Sequence, residues 1–559
     1  MAAEGSSAIL LSMLSDDVAA PSSPSDGTGR RRWFGLVVIS LGVSLIIVDS
    51  TIVNVAVPSI IDDLGITSTD AQWVQEVYTL VFAALLLIVG RLADRFGRRR
   101  LFALGALVFG LSSILAATAD GGPWLIGARA LQGVGGALML PTSLSLLNAT
   151  FRGRERGIAF GIWGATIGGT AALGPLLGGW LTTDFSWRWA FGINVPLTLV
   201  VIAGLFLLVD ESRERAEGRG ADWFGAVLSA VGFGAVVFGL IEGRTYGWLR
   251  STGPDLSLFG WTWSWSVSPV AVAFVLGVLA LATFVLVERR RNAAGQVAML
   301  DLSLFTIPSF RNGNVAALIV SLGEFGLLFA LPLWFQNVLG YSAFQTGLVL
   351  LALAVGSFVA SGLGAAIGRT RSPVFIVRLG IVLEIAGIAG IALLLRPDSA
   401  WWVTAPLLFV YGVGVGFATA QLTGVVLADV PVQRSGQGSG TQSTSRQVGS
   451  AFGIAILGTV LFTVLGARLE ASLTDQGVPQ QARTGIVEAV KGSAGAAIPG
   501  LARDPRTAAA AEDAKVAFTE ATRVSAATAA GFLVVGLLTS LSLGSGRRPE
   551  DEREGPITA

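Results

Sequence analysis

Residues 73–119 read WVQEVYTLVFAALLLIVGRLADRFGRRRLFALGALVFGLSSILAATA. Two apolar runs, 73–91 and 101–119, flank one short loop crowded with arginine. Each run is about 20 residues, the length of helix that crosses the hydrocarbon core of a bilayer. The apolar residues are continuous rather than alternating, so the pair reads as two spanning helices and not as strands of a barrel.

The rest of the chain repeats this pattern. Of its 559 residues 52% are hydrophobic and 13% charged, about half the charge of a soluble protein. Apolar runs fall near 34–57, 73–91, 101–119, 124–148, 157–181, 190–209, 222–242, 268–287, 313–337, 346–367, 374–395, 402–427, 438–465 and 524–545. The fold class is therefore all-α and polytopic, with about 14 transmembrane helices. Cysteine and histidine are absent, which removes disulfides, the usual zinc and haem ligands, and an imidazole proton relay. We expect no metal and no cofactor, and the net charge of +1 gives no footprint for nucleic acid.

Arginine bias sets the orientation. Arg30–Arg32, the loops at 91–100, 152–156, 212–219, 288–291 and 369–371, and Arg547–Arg548 share one side, whereas 59–72, 119–124 and 340–344 contain no Lys or Arg. The first side is expected to be cytoplasmic, with both termini there, in a bacterial cytoplasmic membrane. TWSWS (262–266) reads as an outer aromatic belt. Residues 467–522 form an extracytoplasmic loop of mixed charge, either a surface helical hairpin, a partly ordered linker or a lid over the outer mouth.

The loop itself, GRLADRFGRRR, turns through Gly90 and Gly97 and sets one acid, Asp94, among five arginines that include Arg95 and Arg98. Positive-inside bias predicts the arginines but not the interleaved G-x-L-x-D-R-x-G-R pattern. Here the chain resembles the major facilitator superfamily. VDSTIVNVAVP (48–58), LIGARALQGVGGA (125–137), WRWAFGINVP (187–196), LGYSAFQTG (339–347) and STSRQVGSAFGIAILG (443–458) resemble its fourteen-helix drug:proton antiporter branch. GATIGGTAALGPLLGGWL (164–181), with Gly164, Gly168, Gly174, Pro175, Gly178 and Gly179, looks like the antiporter signature of that superfamily. Its proline breaks the hydrogen-bond ladder and its spaced glycines let another helix approach closely. The expected partner is the small-residue face of the tenth span around Gly356, Ser357, Ser361 and Gly364.

The resemblance implies two six-helix halves, 33–209 and 293–545, with two extra central spans within 210–292 and cytoplasmic tails at 1–32 and 546–559. It also implies that Asp94 faces the positive end of a helix in the other half, an attraction of about 0.3–1 kcal/mol. Asn54, Gln132, Thr142, Gln336, Gln421 and Thr423 lie on spans that the resemblance turns toward a cavity.

Charges at membrane depth are functional hypotheses because burying them unpaired is expensive. Asp49 either couples protons or is a structural acid held by Asn54 or a neighbouring helix. Arg129 is linked by the resemblance to proton transfer, or else partners Glu76 or Asp49. Glu324, central in the ninth span, suits proton exchange or attraction of a cationic drug. Glu384 either joins the coupling or packs and pairs with Arg378, while Glu76, near the outer end of its span, either couples or is hydrated. The expected function is proton-driven export of hydrophobic or cationic drugs, or antibiotic-like metabolites, by alternating access in a monomer. The proton gradient would be its energy source and the bilayer its other partner. An importer on the same fold and, further off, a membrane enzyme or sensor are the alternatives.

Overall fold

The computed structural model describes residues 26–151, 153–212, 222–252, 256–258, 261–296, 298, 300, 302–368, 370–431 and 435–543. Most of the two expected tails lies outside this range, although the first helix already begins at Asp26.

Apolar continuity gives helices, and prolines, serines and aspartates set their starts. The long helices are α1 (Asp26–Leu64), α2 (Ser68–Phe96), α3 (Arg98–Ala117), α4 (Gly122–Thr150), α5 (Gly153–Asp184), α6 (Asn194–Leu208), α7 (Trp223–Tyr246) and α8 (Pro269–Ala293). They continue as α9 (Pro308–Asn337), α10 (Ala343–Ile367), α11 (Pro373–Leu394), α12 (Trp401–Leu427), α13 (Ser435–Asp475) and α14 (Ala508–Ser540). Proline fills the first turn of α4, α8, α9 and α11, where its missing N–H costs nothing. The side chains of Ser268 and Ser372 accept from Val270 N and Phe375 N to cap α8 and α11. Among the described residues twelve helices are long and apolar enough to cross a membrane, a number compatible with the fourteen spans expected.

The helices pair in the same way twice. In the first half α1 packs on α5 and α6, and α4 on α2 and α3, with α3 on α6. In the second half α9 packs on α13 and α14, and α12 on α10 and α11, with α11 on α14. The halves meet along α2–α13, α5–α10 and α1–α9. α7 and α8 pair with each other, and α7 lies over the α2–α13 seam. Trp73 Nε1 on α2 donates to Glu242 on α7 (2.9 Å), and Thr459 on α13 donates to Leu240 O (2.9 Å).

Each half is fastened at the end that carries the 91–100 loop, hereafter the loop end. Arg99 on α3 donates to Val209 O, just past α6 (3.0 Å), and Arg378 on α11 donates to Ser540 O at the end of α14 (3.0 Å). The guanidinium of Arg378 is thus spent on helix-end carbonyls and does not pair with Glu384. Gly97 has φ +104°, and its missing side chain admits the Glu211 carboxylate, which accepts from the N–H groups of Arg99 (3.0 Å) and Arg100 (3.3 Å). Arg98 is buried beside this turn. The side chains of Asp94 and Arg95 lie outside the described residues, and Gly90 is inside α2, so the chain turns at Gly97 and not at Gly90.

At the opposite end, the expected loop at 467–522 is largely helical. α13 continues to Asp475, and two short helices, Gln480–Gly492 and Ile498–Arg503, lead into α14. Val487, Val490 and Ile498 of these helices, and Ala494 in the turn between them, are buried. Asn337 at the end of α9 donates to Ala494 O (3.0 Å), anchoring this cap on the second half.

The glycine-proline helix α5 uses two faces. A Cβ at Gly174 or Gly178 would run into Thr51 or the Ile52 backbone of α1. One at Gly179 would lie 2.5 Å from Ala343 O, while Gly347 of α10 leaves room for Pro175 O. The tenth helix is therefore the partner, but at Ala343–Gly347. Gly356 and Ser357 instead face Phe409 O and Gly416 of α12, because α10 packs against α5 and α12 at once and these residues lie on its α12 face. Ser361, Gly164 and Gly168 lie outside the residues described at side-chain level.

Candidate functional site

Two acid clusters form inside the halves. In the first half, α1 brings Asp49 against Arg129 and Gln132 of α4. Arg129 Nη1 donates to Asp49 Oδ2 and to Gln132 Oε1 (2.8 Å), and its Nε donates to Val74 O (3.0 Å). Asp49 Oδ1 accepts from Gln132 Nε2 (3.1 Å) and Asn194 Nδ2 (2.9 Å), and both amides also donate to Ser113 Oγ. The Arg129 guanidinium lies over the Tyr78 ring, 4.4 Å from its centroid. The side chains of the pair are 1% and 0% exposed.

This placement answers several expectations. Arg129 partners Asp49, not Glu76. Asp49 is held by Arg129, Gln132 and Asn194 rather than by Asn54, whose Oδ1 accepts from Gln75 Nε2 (2.7 Å). Gln132 and Thr142 do not face open space. Both are fully buried, Gln132 in the ion-pair network and Thr142 by donating to Leu138 O one turn back (2.6 Å). Gln336 is half-buried and donates to Val55 O (3.0 Å), joining α9 to α1 across the seam. Thr423 accepts from Gln442 (3.1 Å), and Gln421 is half-buried on the same helix.

In the second half the acids are less well served. Glu324 on α9 is buried; its Oε1 accepts from Thr419 Oγ1 (3.4 Å), and its Oε2 is 3.9 Å from Arg446 on α13. Arg446 keeps 27% of its side chain exposed. Glu384 on α11 is buried with neither carboxylate oxygen hydrogen-bonded, within electrostatic reach of Glu324 and Arg446. Its backbone and Cγ press on Gly414 of α12, where a Cβ would come within 2.7 Å. Tyr411 of α12 is buried and donates its hydroxyl to Glu324 O (3.2 Å).

Arg446 was not singled out from the sequence, although it stands within the 438–465 run in STSRQVGSAFG, where the polar residues around it mask its depth. Asn194 escaped for the opposite reason, since a single amide in an apolar run carries no charge signal.

The major facilitator superfamily model matches residues 39–249 and 219–454. The chain belongs to the major facilitator superfamily. Among its relatives is puromycin resistance protein pur8 of Streptomyces alboniger, 39% identical over 455 residues, which cover 79% of this chain and 84% of that one. The probable actinorhodin transporter of Streptomyces coelicolor is 34% identical, covering 82% of this chain and 80% of the relative. Multidrug efflux pump LfrA of Mycolicibacterium smegmatis is 33% identical over 78% of this chain and 81% of its own. Among solved structures, an inward-facing bacterial homologue of the human lysosomal transporter Spinster shares this major facilitator fold with a TM-score of 0.62. It is 16% identical and covers 94% of this chain and 99% of its own.

Proposed function

We propose that this chain is a proton-coupled antiporter that exports hydrophobic, cationic or antibiotic-like molecules across a bacterial cytoplasmic membrane, with the loop end cytoplasmic. The observation that carries the reading is the second-half cluster, in which two buried carboxylates share one half-open arginine. If both acids were ionised, the cluster would hold one net negative charge in a low-dielectric space. One proton removes that charge, and so does a bound organic cation. Proton and cargo therefore compete for one electrostatic vacancy, which is sufficient for exchange. The named functions of the relatives, puromycin resistance, actinorhodin transport and multidrug efflux, support export of such cargo.

The driving force is adequate, since one charge moved across 100 mV yields about 2.3 kcal/mol, or roughly a fiftyfold gradient. The α5–α10 contact supports a closed outer side in this conformation: Phe344 N donates to Thr183 Oγ1 (3.0 Å) where the glycines meet. The test is efflux of ethidium and of puromycin from cells lacking other pumps. We expect efflux to stop when a protonophore collapses the gradient and to be lost in Glu324→Gln. Efflux that persists without the gradient would remove proton coupling from the account.

A further inference from the structure

Glu76 occupies a different place from the acids above. It stands on α2, one turn inward from Gln72, on the face turned to α13 rather than to α4. A Cβ at Gly458 of α13 would lie 2.1 Å from Gln72 Nε2, which fixes how tightly α2 and α13 meet here. Glu76 is fully buried, and neither carboxylate oxygen has a hydrogen-bond partner. The Ala455 backbone of α13 lies beside it. An apolar cluster of Trp73, Leu80, Val237, Ile241, Ala451, Phe452 and Ala455 fills the junction of α2, α7 and α13.

The described basic groups on the packed elements are engaged elsewhere. On α7, Glu242 accepts from Trp73, with Tyr246 a turn beyond. On α13, Arg446 serves Glu324, and Arg468 pairs with Glu520. On α4, Arg129 is bound to Asp49 of α1, and α3 carries its arginines at the loop end. In the cap helix Gln480–Gly492, Arg483 meets Glu470 and Lys491 meets Glu488. Among the residues described at side-chain level, which do not include Arg244 of α7 or Arg91 and Arg95 of α2, nothing is left to neutralise an ionised Glu76, and an unpaired carboxylate in such surroundings is strongly disfavoured.

The α2–α13 seam lies between the halves, so it parts whenever they rock open at this end. We propose that Glu76 is a proton-binding site that makes closure of this seam conditional: the halves close over Glu76 only when it carries a proton, taken from water at the open mouth. The carboxylate gains that proton on one oxygen and returns it to the same water when the seam parts. A pump that has lost its proton therefore cannot shut this end and cycle idly. The proposal is independent of the cargo and of the Glu324 cluster.

The chain has no cysteine, so spin labels can be placed without background. Asp62→Cys and Ala471→Cys put exposed labels on the two halves at this end. Pulsed distance measurements in lipid nanodiscs between pH 5 and 9 should show the closed distance giving way to the open one as pH rises. The closed-to-open ratio should fall by up to about tenfold per pH unit, the slope of a single linked proton. In Glu76→Gln, or Glu76→Leu if Gln does not fold, the closed distance should persist across the range, while Glu76→Asp keeps the pH response. A Glu76→Gln protein that follows pH as the parent does overturns the proposal, as does a parent with no pH response. Glu324→Gln should leave this response in place. If Glu324→Gln abolishes it and Glu76→Gln does not, the seam proposal fails while the coupling role of Glu324 survives.

Discussion

Asp49 and Glu324 stand at nearly matching heights in the two halves, nine and eight residues before Pro58 and Pro332 of α1 and α9. Their surroundings differ completely. Asp49 is enclosed by one arginine and two amides, with no exposure and both oxygens accepting. Glu324 has one hydroxyl and a distant, half-open arginine, with a second acid behind it. A fully paired charge in the interior is expensive to disturb and so holds a shape. A poorly paired one changes protonation cheaply and so can report what binds. The first half is built around a fixed charge pair and the second around a variable one.

The largest expected effect comes from breaking the fixed pair. Asp49→Asn leaves Arg129 charged and buried without a counter-ion, so it should destabilise the protein by about 3–5 kcal/mol, read as thermal unfolding in detergent. Asp49→Asn combined with Arg129→Gln should recover part of that loss. If the single variant is as stable as the parent, the first half does not hold a structural pair.

Next is Glu324→Gln, which should abolish efflux while changing unfolding by less than about 1 kcal/mol, because Arg446 is exposed enough to keep its hydration. Equal losses of fold in Asp49→Asn and Glu324→Gln would erase the contrast between the halves. Glu384→Leu carries the contrast further: both oxygens of Glu384 are unpartnered, so an apolar side chain should stabilise the fold by about 1–3 kcal/mol. Its transport should nonetheless become less sensitive to pH, measured as efflux across pH 6–8. The smallest effect is expected at the fastening of the first half. Glu211→Ala removes the carboxylate that caps α3 and should cost about 0.5–2 kcal/mol, with efflux reduced in proportion to the folded protein.

Much of this architecture was legible because the membrane forces it. Continuous apolar runs can only be helices, and the 91–100 loop with the glycine-proline run at 164–181 pointed to one superfamily. What stayed open was the choice of partner, since the sequence offers Arg129 either Glu76 or Asp49. Asp49 could be placed at membrane depth from its position in VDSTIVN, but no spacing tells that Arg129, eighty residues away, reaches it. Glu76 looked hydrated because it lies near a span's outer end. It is instead buried, because α13 and α7 cover that turn of α2. The contact between α5 and α10 was expected on the right helix, but Gly356 and Ser357 serve α12 while Ala343–Gly347 meets α5. Small residues mark every close approach alike, and α10 makes two.

The 41 residues of α13 form a rod of about 60 Å, twice the thickness of the hydrocarbon core. Arg446 sits toward one end of this rod and the cap helix Gln480–Gly492 packs on the other. Rotation about a point in the membrane therefore moves the protruding tip farther than it moves the arginine. The cap and the charge site therefore share one unbroken helix, a lever with the cap at its outer end and Arg446 on its inner arm.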